Sequence, residues 1–213
     1  MRLVLASASP ARLALLRAAG TDPLVLVSGV DEDAVVARYG VTDAEDVCLV
    51  LARAKAEEVA GRLDDVEGLG DDDALVVGCD SVLELDGEVH GKPADAAEAV
   101  ARWRRMRGRS GVLHTGHWLV DARDEGSGAT LGAVSSTTVR FADVDDEEVE
   151  AYVATGEPLA VAGAFTLDGL GGAYVTGVEG EPSAVVGLGL STLRGLLADV
   201  GVRWSALRRT GDA

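Results

Sequence analysis

Apolar and polar positions along the chain follow two rhythms, and their succession predicts alternating strands and helices. Leu3–Ala6 is a short apolar run that reads as a buried strand. Ser9-Pro10 then opens a helix running to Gly20: Ser caps a helix start, Pro suits the first helical position, and Gly commonly ends one. Leu13 and Leu16 mark its apolar face. Leu24–Val27 reads as a second strand leading into the acidic turn Val30–Asp33. From Asp43 to about Leu63, the positions Val47, Leu51, Ala54 and Val59 recur at helical spacing. Residues 68–73 read as a solvated loop, and Ala74–Gly78 as a fully apolar strand ending at Cys79-Asp80-Ser81.

Val82–Leu85 and Glu88–His90 then form a hairpin around Asp86-Gly87, a strong two-residue turn signal. A helix over Asp95–Arg107 follows, then two long strands, Leu113–Asp121 and Thr130–Phe141, joined by the loop Asp124–Gly128. Asp145–Ala154 reads as a helix with Val149 and Val153 inward. Gly163–Gly177 is glycine-rich and runs close to a ligand or to another backbone, and Leu190–Leu197 is the last helix. Strands paired both locally and through crossovers predict an α/β fold, a mixed twisted sheet flanked by helices. The expected organisation is one domain over residues 1–207 with a flexible tail, 208–213.

Charge changes the picture of partners. Asp and Glu number 36 against 19 Lys and Arg, a formal charge of −17. Phosphate-backbone binding needs a field of cations, so nucleic acid is excluded as a broad partner, and so is an anionic membrane surface. No apolar run approaches the ~20 residues of a membrane span, and Ser7, Ser9, Pro10 and Arg12 interrupt any signal-peptide core; a cytoplasmic location is expected. Cys48 and Cys79 are too few and too far apart for a disulfide framework and read as buried thiols. The basic residues are almost all Arg; the only two lysines are Lys55 and Lys92.

Four segments carry candidate chemistry. Ala6–Arg12 runs a strand into a helix N-terminus, where free N–H groups favour an anion and Arg12 can add a bidentate contact; a capped helix with a surface arginine is the plainer reading. Asp80 stands at the carboxyl end of an apolar strand, where it can hold Mg²⁺, take a proton from water, or simply cap a turn. Gly91-Lys92-Pro93 projects a point charge suited to phosphate from a stiffened backbone. Lys55 shares a helix with Arg53 and Glu57, and is either a solvated-face lysine or one retained for a task that arginine does not fill. His114 and His117 lie three apart on a strand, which sends their rings to opposite faces and argues against a zinc site. Hydrolase-elbow, P-loop and dinucleotide motifs are absent.

Taken together, these segments resemble the Maf family of nucleoside triphosphate pyrophosphatases, also called septum formation proteins. The resemblance spans about Leu3 to Leu197. It rests on Leu5–Arg12, Asp31-Glu32, Ala52–Ala56, Cys79–Val82 and Gly91-Lys92-Pro93, and further along on Tyr152–Pro158, Ala162–Phe165, Gly169–Gly171 and Val185–Leu188. It implies two lobes around a nucleotide cleft, often a homodimer, and metal-dependent cleavage of a nucleoside triphosphate to the monophosphate and diphosphate. Asp80 aligns with the family's proton acceptor. Lys55 and Lys92 join it as catalytic cations, Ser9, Arg12, Ser81 and Asp168 as substrate contacts, and Glu32 with Asp80 as ligands of Mg²⁺, Mn²⁺ or Co²⁺. A nucleotide-binding regulator of septum formation that acts without turnover is the alternative.

Departures bear on the base. Members that prefer thymidine and uridine triphosphates carry Arg, Thr and Gln where this chain has Ala11, Ser81 and Asp168. An ionised Asp168 only accepts hydrogen bonds, so it suits the adjacent N–H donors of guanine and opposes the two carbonyls of thymine or uracil. A guanine-type or modified base such as 7-methylguanine is therefore expected.

Overall fold

Small polar residues start the helices as the sequence predicts. A computed structural model of the chain describes residues 1–66, 69 and 74–208. In chain order its elements are β1 (Arg2–Leu5), α1 (Pro10–Ala18), β2 (Leu24–Val25), α2 (Glu32–Tyr39), α3 (Ala44–Ala60), β3 (Ala74–Leu85) and β4 (Glu88–His90). There follow α4 (Ala96–Met106), β5 (Ser110–Ala122), β6 (Thr130–Phe141), α5 (Asp146–Ala154), β7 (Val175–Glu179), α6 (Pro182–Val186) and α7 (Leu190–Asp199). Ser9, Asp43, Asp95 and Asp145 each accept a first-turn N–H, capping α1, α3, α4 and α5. Asp86 and Gly87 both take positive φ, 59° and 75°, as the two-residue hairpin turn requires.

The strands form one mixed sheet in the order β2-β1-β3-β5-β6-β7, with β4 added to β3. β1 pairs in parallel with β2 and β3, whereas β3, β5 and β6 run antiparallel. One face of the long strands carries two cores. At one end Leu75, Val77 and Cys79 pack with Leu16 of α1 and with Leu193 and Leu197 of α7. At the other, Leu83 and Leu85 pack with Met106 and Trp103, whose ring meets Phe141 and Tyr152 edge-on. Ser81 lies between them.

The opposite face belongs to α3, which is pressed unusually close to the sheet. A Cβ on Gly78 would stand 2.2 Å from the Ala52 carbonyl oxygen, and one on Gly116 would stand 2.3 Å from that of Cys48. Gly116 pairs with Asp80 across β3 and β5, so the close approach is centred on the carboxylate.

Several expectations are corrected. Asp80 is not at a strand end: β3 runs unbroken through it, because β5 pairs with β3 along almost its whole length. The acidic turn Val30–Asp33 is the start of a helix, with Asp31 capping α2. β2 is two residues long, and the glycine-rich stretch gives way to β7 at Val175. α6 was not foreseen. Arg208, assigned to the tail, forms a β-bridge with Thr21; residues 209–213 lie outside the described residues, as does the predicted loop 68–73 apart from Leu69. Among the described residues no helix is long and apolar enough to cross a membrane.

Gly116→Ala should force α3 off the sheet and lower stability by about 2–3 kcal/mol, read as a reduced urea midpoint at unchanged slope.

Candidate active site

Along one edge, β3 changes partner. Its pairing with β1 ends at Leu5↔Val77, and its pairing with β4 begins at Leu83↔His90. Between them Gly78–Val82 has no strand on that side among the described residues. Main-chain groups of alternate strand residues point to the same edge. The Val77 carbonyl accepts from Ala6 N–H there, and Leu85 pairs with Glu88 across the tight turn. Cys79 and Ser81, in phase with both, therefore direct their N–H and C=O groups into the gap.

Asp80 points to the α3 face, where Lys55 meets it. Lys55 Nζ lies 2.6 Å from Asp80 Oδ1 and 2.7 Å from Glu32 Oε1. Lys55 and Asp80 are each 9% exposed, so the reading of Lys55 as a solvated lysine is overturned, while Glu32 at the start of α2 is open to solvent. Burial pushes the Asp80 carboxyl above the usual carboxylate range; Lys55 and then Arg12 oppose that rise, and Glu32 adds to it. A carboxylate so placed is poised to accept a proton, and a cation held between two carboxylates fixes their positions.

Arg12 is not a surface arginine. It is 9% exposed and spends four of its five donors inside the protein. Nε donates to the Gly187 carbonyl at 2.6 Å, Nη1 to Ser7 Oγ at 3.0 Å and to the Cys79 carbonyl at 2.8 Å, and Nη2 to Ser81 Oγ at 3.3 Å. Arg12 thus ties the segment before α1, the open edge of β3 and the turn after α6 into one unit. Ser9 Oγ accepts the Arg12 N–H at 3.4 Å, fixing the first turn of α1.

The structure connects Ser9, Arg12, Ser81, Asp80, Lys55 and Glu32 through contacts or chain adjacency, but not Lys92 or Asp168. Lys92 is exposed and has no ion pair among the described residues; its loop is set by the Gly91 carbonyl, which accepts from Arg102 Nη1 at 2.6 Å and from Gly163 N–H at 3.1 Å. Asp168 is exposed on a loop organised by Glu157. That carboxylate accepts from Tyr152 and Thr166 hydroxyls and from Leu170 and Gly171 N–H groups. Burial disfavours its charge, yet the hydrogen bonds outweigh burial and hold Glu157 below its ordinary value.

Sequence reasoning missed Arg102, Glu157 and Thr115. Glu157 falls in a stretch that carried the resemblance, and Arg102 lies four residues after Glu98, its ion-pair partner at 2.5 Å. Thr115 gave no signal. The two histidines face opposite sides, as expected: His114 Nδ1 lies 2.9 Å from Ser136 Oγ, while His117 Nε2 accepts Gly189 N–H at 2.7 Å. Burial lowers His117 to about 4, which keeps it neutral in that role.

A family model described as "Maf-like protein" matches residues 2–200. The chain belongs to the Maf family. Among Maf relatives, a nucleoside triphosphate pyrophosphatase of Salinispora tropica is 56% identical over 213 residues, covering 100% of this chain and 90% of its own. Proteins of that name from Streptomyces coelicolor and Mycobacterium marinum are 57% and 52% identical, covering 94% and 97% of this chain and 91% and 96% of theirs. A solved nucleoside-triphosphatase / dITP/XTP pyrophosphatase from Mycobacterium abscessus aligns over 68% of this chain and 76% of its own, with a TM-score of 0.37 and 17% identity. In this Maf chain the stretches around Arg12, Lys55 and Asp80 converge on the gap in β3 and on the helix face above it.

Lys55→Met would leave Asp80 buried without its cation. Stability should fall by roughly 3 kcal/mol at pH 8. A carboxylate whose folded pKa is raised destabilises when ionised, so the loss should shrink as pH falls through that raised value. Adding Asp80→Asn should restore most of it, in urea unfolding at pH 8 and pH 5.

Proposed function

We propose that the chain hydrolyses a nucleoside triphosphate between the α and β phosphates, giving the monophosphate and diphosphate. The observation that carries this reading is Lys55 bridging Asp80 and Glu32 in a Maf-family chain. Asp80, with its raised carboxyl, takes the proton of the attacking water. The water oxygen bonds to the α-phosphorus, and the bond from that phosphorus to the bridging oxygen breaks. Lys55 holds the Asp80 carboxylate in place and offsets part of the negative charge. Lys92, exposed and without an ion pair among the described residues, is the cation assigned to the departing diphosphate in this reading.

The acidic donors fit a hard divalent cation such as Mg²⁺, Mn²⁺ or Co²⁺. Asp80 and Glu32 offer only oxygens, and Mg²⁺ is commonly held by one or two carboxylates together with substrate phosphates. Among the described residues no cluster of three or more His, Cys, Asp or Glu forms a metal cage, so these two carboxylates suit an ion that arrives with the triphosphate. Such an ion supplies charge neutralisation at the reacting phosphates. In a chain of net −17, local positive charge is needed for a triphosphate to bind at all.

For the base, an exposed Asp168 that only accepts hydrogen bonds supports a guanine-type or modified purine over thymine and uracil. A panel of GTP, 7-methyl-GTP, UTP, dTTP and CTP with Mg²⁺, scored by diphosphate release, tests both parts; dTTP and UTP cleaved best would overturn the base preference. Asp80→Ala should reduce turnover at least 100-fold while nucleotide still binds. Orthophosphate as product, or full turnover in Asp80→Ala, would overturn the reaction. Binding without any release would favour a regulator.

A further inference from the structure

The gap in β3 has a rim on the β4 side. β4 runs antiparallel to β3 and ends at His90, opposite Leu83, so the chain leaves the sheet at Gly91 where the gap begins. Lys92 follows and is exposed. A lysine ends in a point charge on a flexible four-carbon stem, so only a fixed main chain beneath it confines the volume its ammonium searches.

That main chain is held at both ends by one pair of α4 side chains. The Gly91 carbonyl accepts from Arg102 Nη1 at 2.6 Å and from Gly163 N–H at 3.1 Å, which fills both of its lone pairs. The peptide plane carrying this oxygen also carries the Lys92 N–H, so its orientation is set. Lys92 precedes Pro93, which disfavours helical backbone at Lys92, and Pro93 itself is buried. Ala94 N–H then donates to Glu98 Oε2 at 2.8 Å, while Glu98 Oε1 accepts from Arg102 Nη2 at 2.5 Å. Arg102 and Glu98 thus close a ring around residues 91–94, from which the Lys92 side chain projects.

Arg102 is 5% exposed, and a guanidinium is costly to place inside a protein. The apolar contacts of α4 come from Ala99, Trp103 and Met106. What the fork of Arg102 adds is geometry: from one plane it donates to a main-chain carbonyl and to a carboxylate at once. Glu98 is held below its ordinary value, first by the Ala94 N–H and also by Arg102, so it stays ionised in that role. We propose that Arg102 is a positioning residue for Lys92: through the Gly91 carbonyl and through Glu98 it fixes the main chain that carries this cation at the rim of the β3 gap. The inference rests on the proposed role of Lys92 toward diphosphate, and it adds the residue on which the placement of that cation depends.

The test is a double-mutant cycle on the binding of diphosphate with Mg²⁺, read by calorimetry in the parent, Lys92→Met, Arg102→Gln and the double variant. Lys92→Met should weaken binding about tenfold and Arg102→Gln about fivefold. In the Lys92→Met background, Arg102→Gln should add less than about twofold, because the cation it places is gone. A loss from Arg102→Gln that is as large without Lys92 as with it would mean that the guanidinium acts on its own or on the fold at large, and the proposal would fall. Unchanged affinity in Arg102→Gln, or a parent that binds diphosphate no better than Lys92→Met, would overturn it equally. Should Arg102→Gln not fold, Glu98→Ala removes the half-exposed arm of the ring. It should show a smaller loss that again disappears without Lys92; a loss of the same size in both backgrounds, or none in either, would overturn the proposal. If diphosphate binds but no nucleotide releases it, the cleavage reading fails, while the binding cycle still decides the role of Arg102.

Discussion

The site depends on the seating of α3 upon the sheet. Two cross-strand neighbourhoods without side chains, at Gly78 and Gly116, let the helix backbone settle where a Cβ would otherwise collide. That contact buries Lys55 and Asp80 together. Burial alone would push the carboxyl toward its neutral form, and the ammonium 2.6 Å away opposes it. Buried ion pairs seldom add net stability, because desolvation consumes the Coulombic gain. The pair holds a buried carboxyl, raised by burial above the usual range, in one orientation.

The second organising feature is an edge with three regimes. β3 is paired in parallel over its first residues, open in the middle and paired antiparallel at its end. Because β5 pairs with the other side throughout, the open stretch stays extended. Asp80 and Ser81 are then presented from one strand to opposite faces, one toward the cation-bearing helix and the other toward the Arg12 cluster. Neighbouring residues thereby offer different chemistry to the two faces without a loop between them.

Much of this was legible in the sequence, and the failures have physical causes. Helix starts, the Asp-Gly hairpin and the strands β5 and β6 depend on local chemistry and are legible, whereas β3 reads as two pieces although it is one strand. Asp80 was placed at a strand end because a charge after an apolar run looks like a boundary. It is not one here: β3 continues in register with β5, and the residue opposite Asp80 is Gly116, whose missing Cβ lets the α3 backbone approach. α2 escaped notice because none of its residues is buried, so its periodicity is weak. The lysine bias pointed to Lys55, but nothing local betrayed the role of Arg12, whose partners lie as far as 175 residues away. Lys92 stood out by the scarcity of lysine and its Gly-Pro setting, and Asp168 only through the resemblance; the contacts among the described residues bring neither to Asp80.

That long-range clamp also orders events in time. Synthesis proceeds from the N-terminus, and the carboxylate, its lysine and the open edge are all encoded in the first 85 residues. The Arg12 guanidinium, however, finds its Gly187 acceptor only after the chain has been made through α6. Until then its Nε donor lacks the native acceptor, and the segment bearing Ser7 and Ser9 is not yet tied to the C-terminal part of the fold. The clamp therefore forms only once the turn at Gly187 has been made, and a chain that stops before it carries Asp80 and Lys55 without the contact that orders their surroundings.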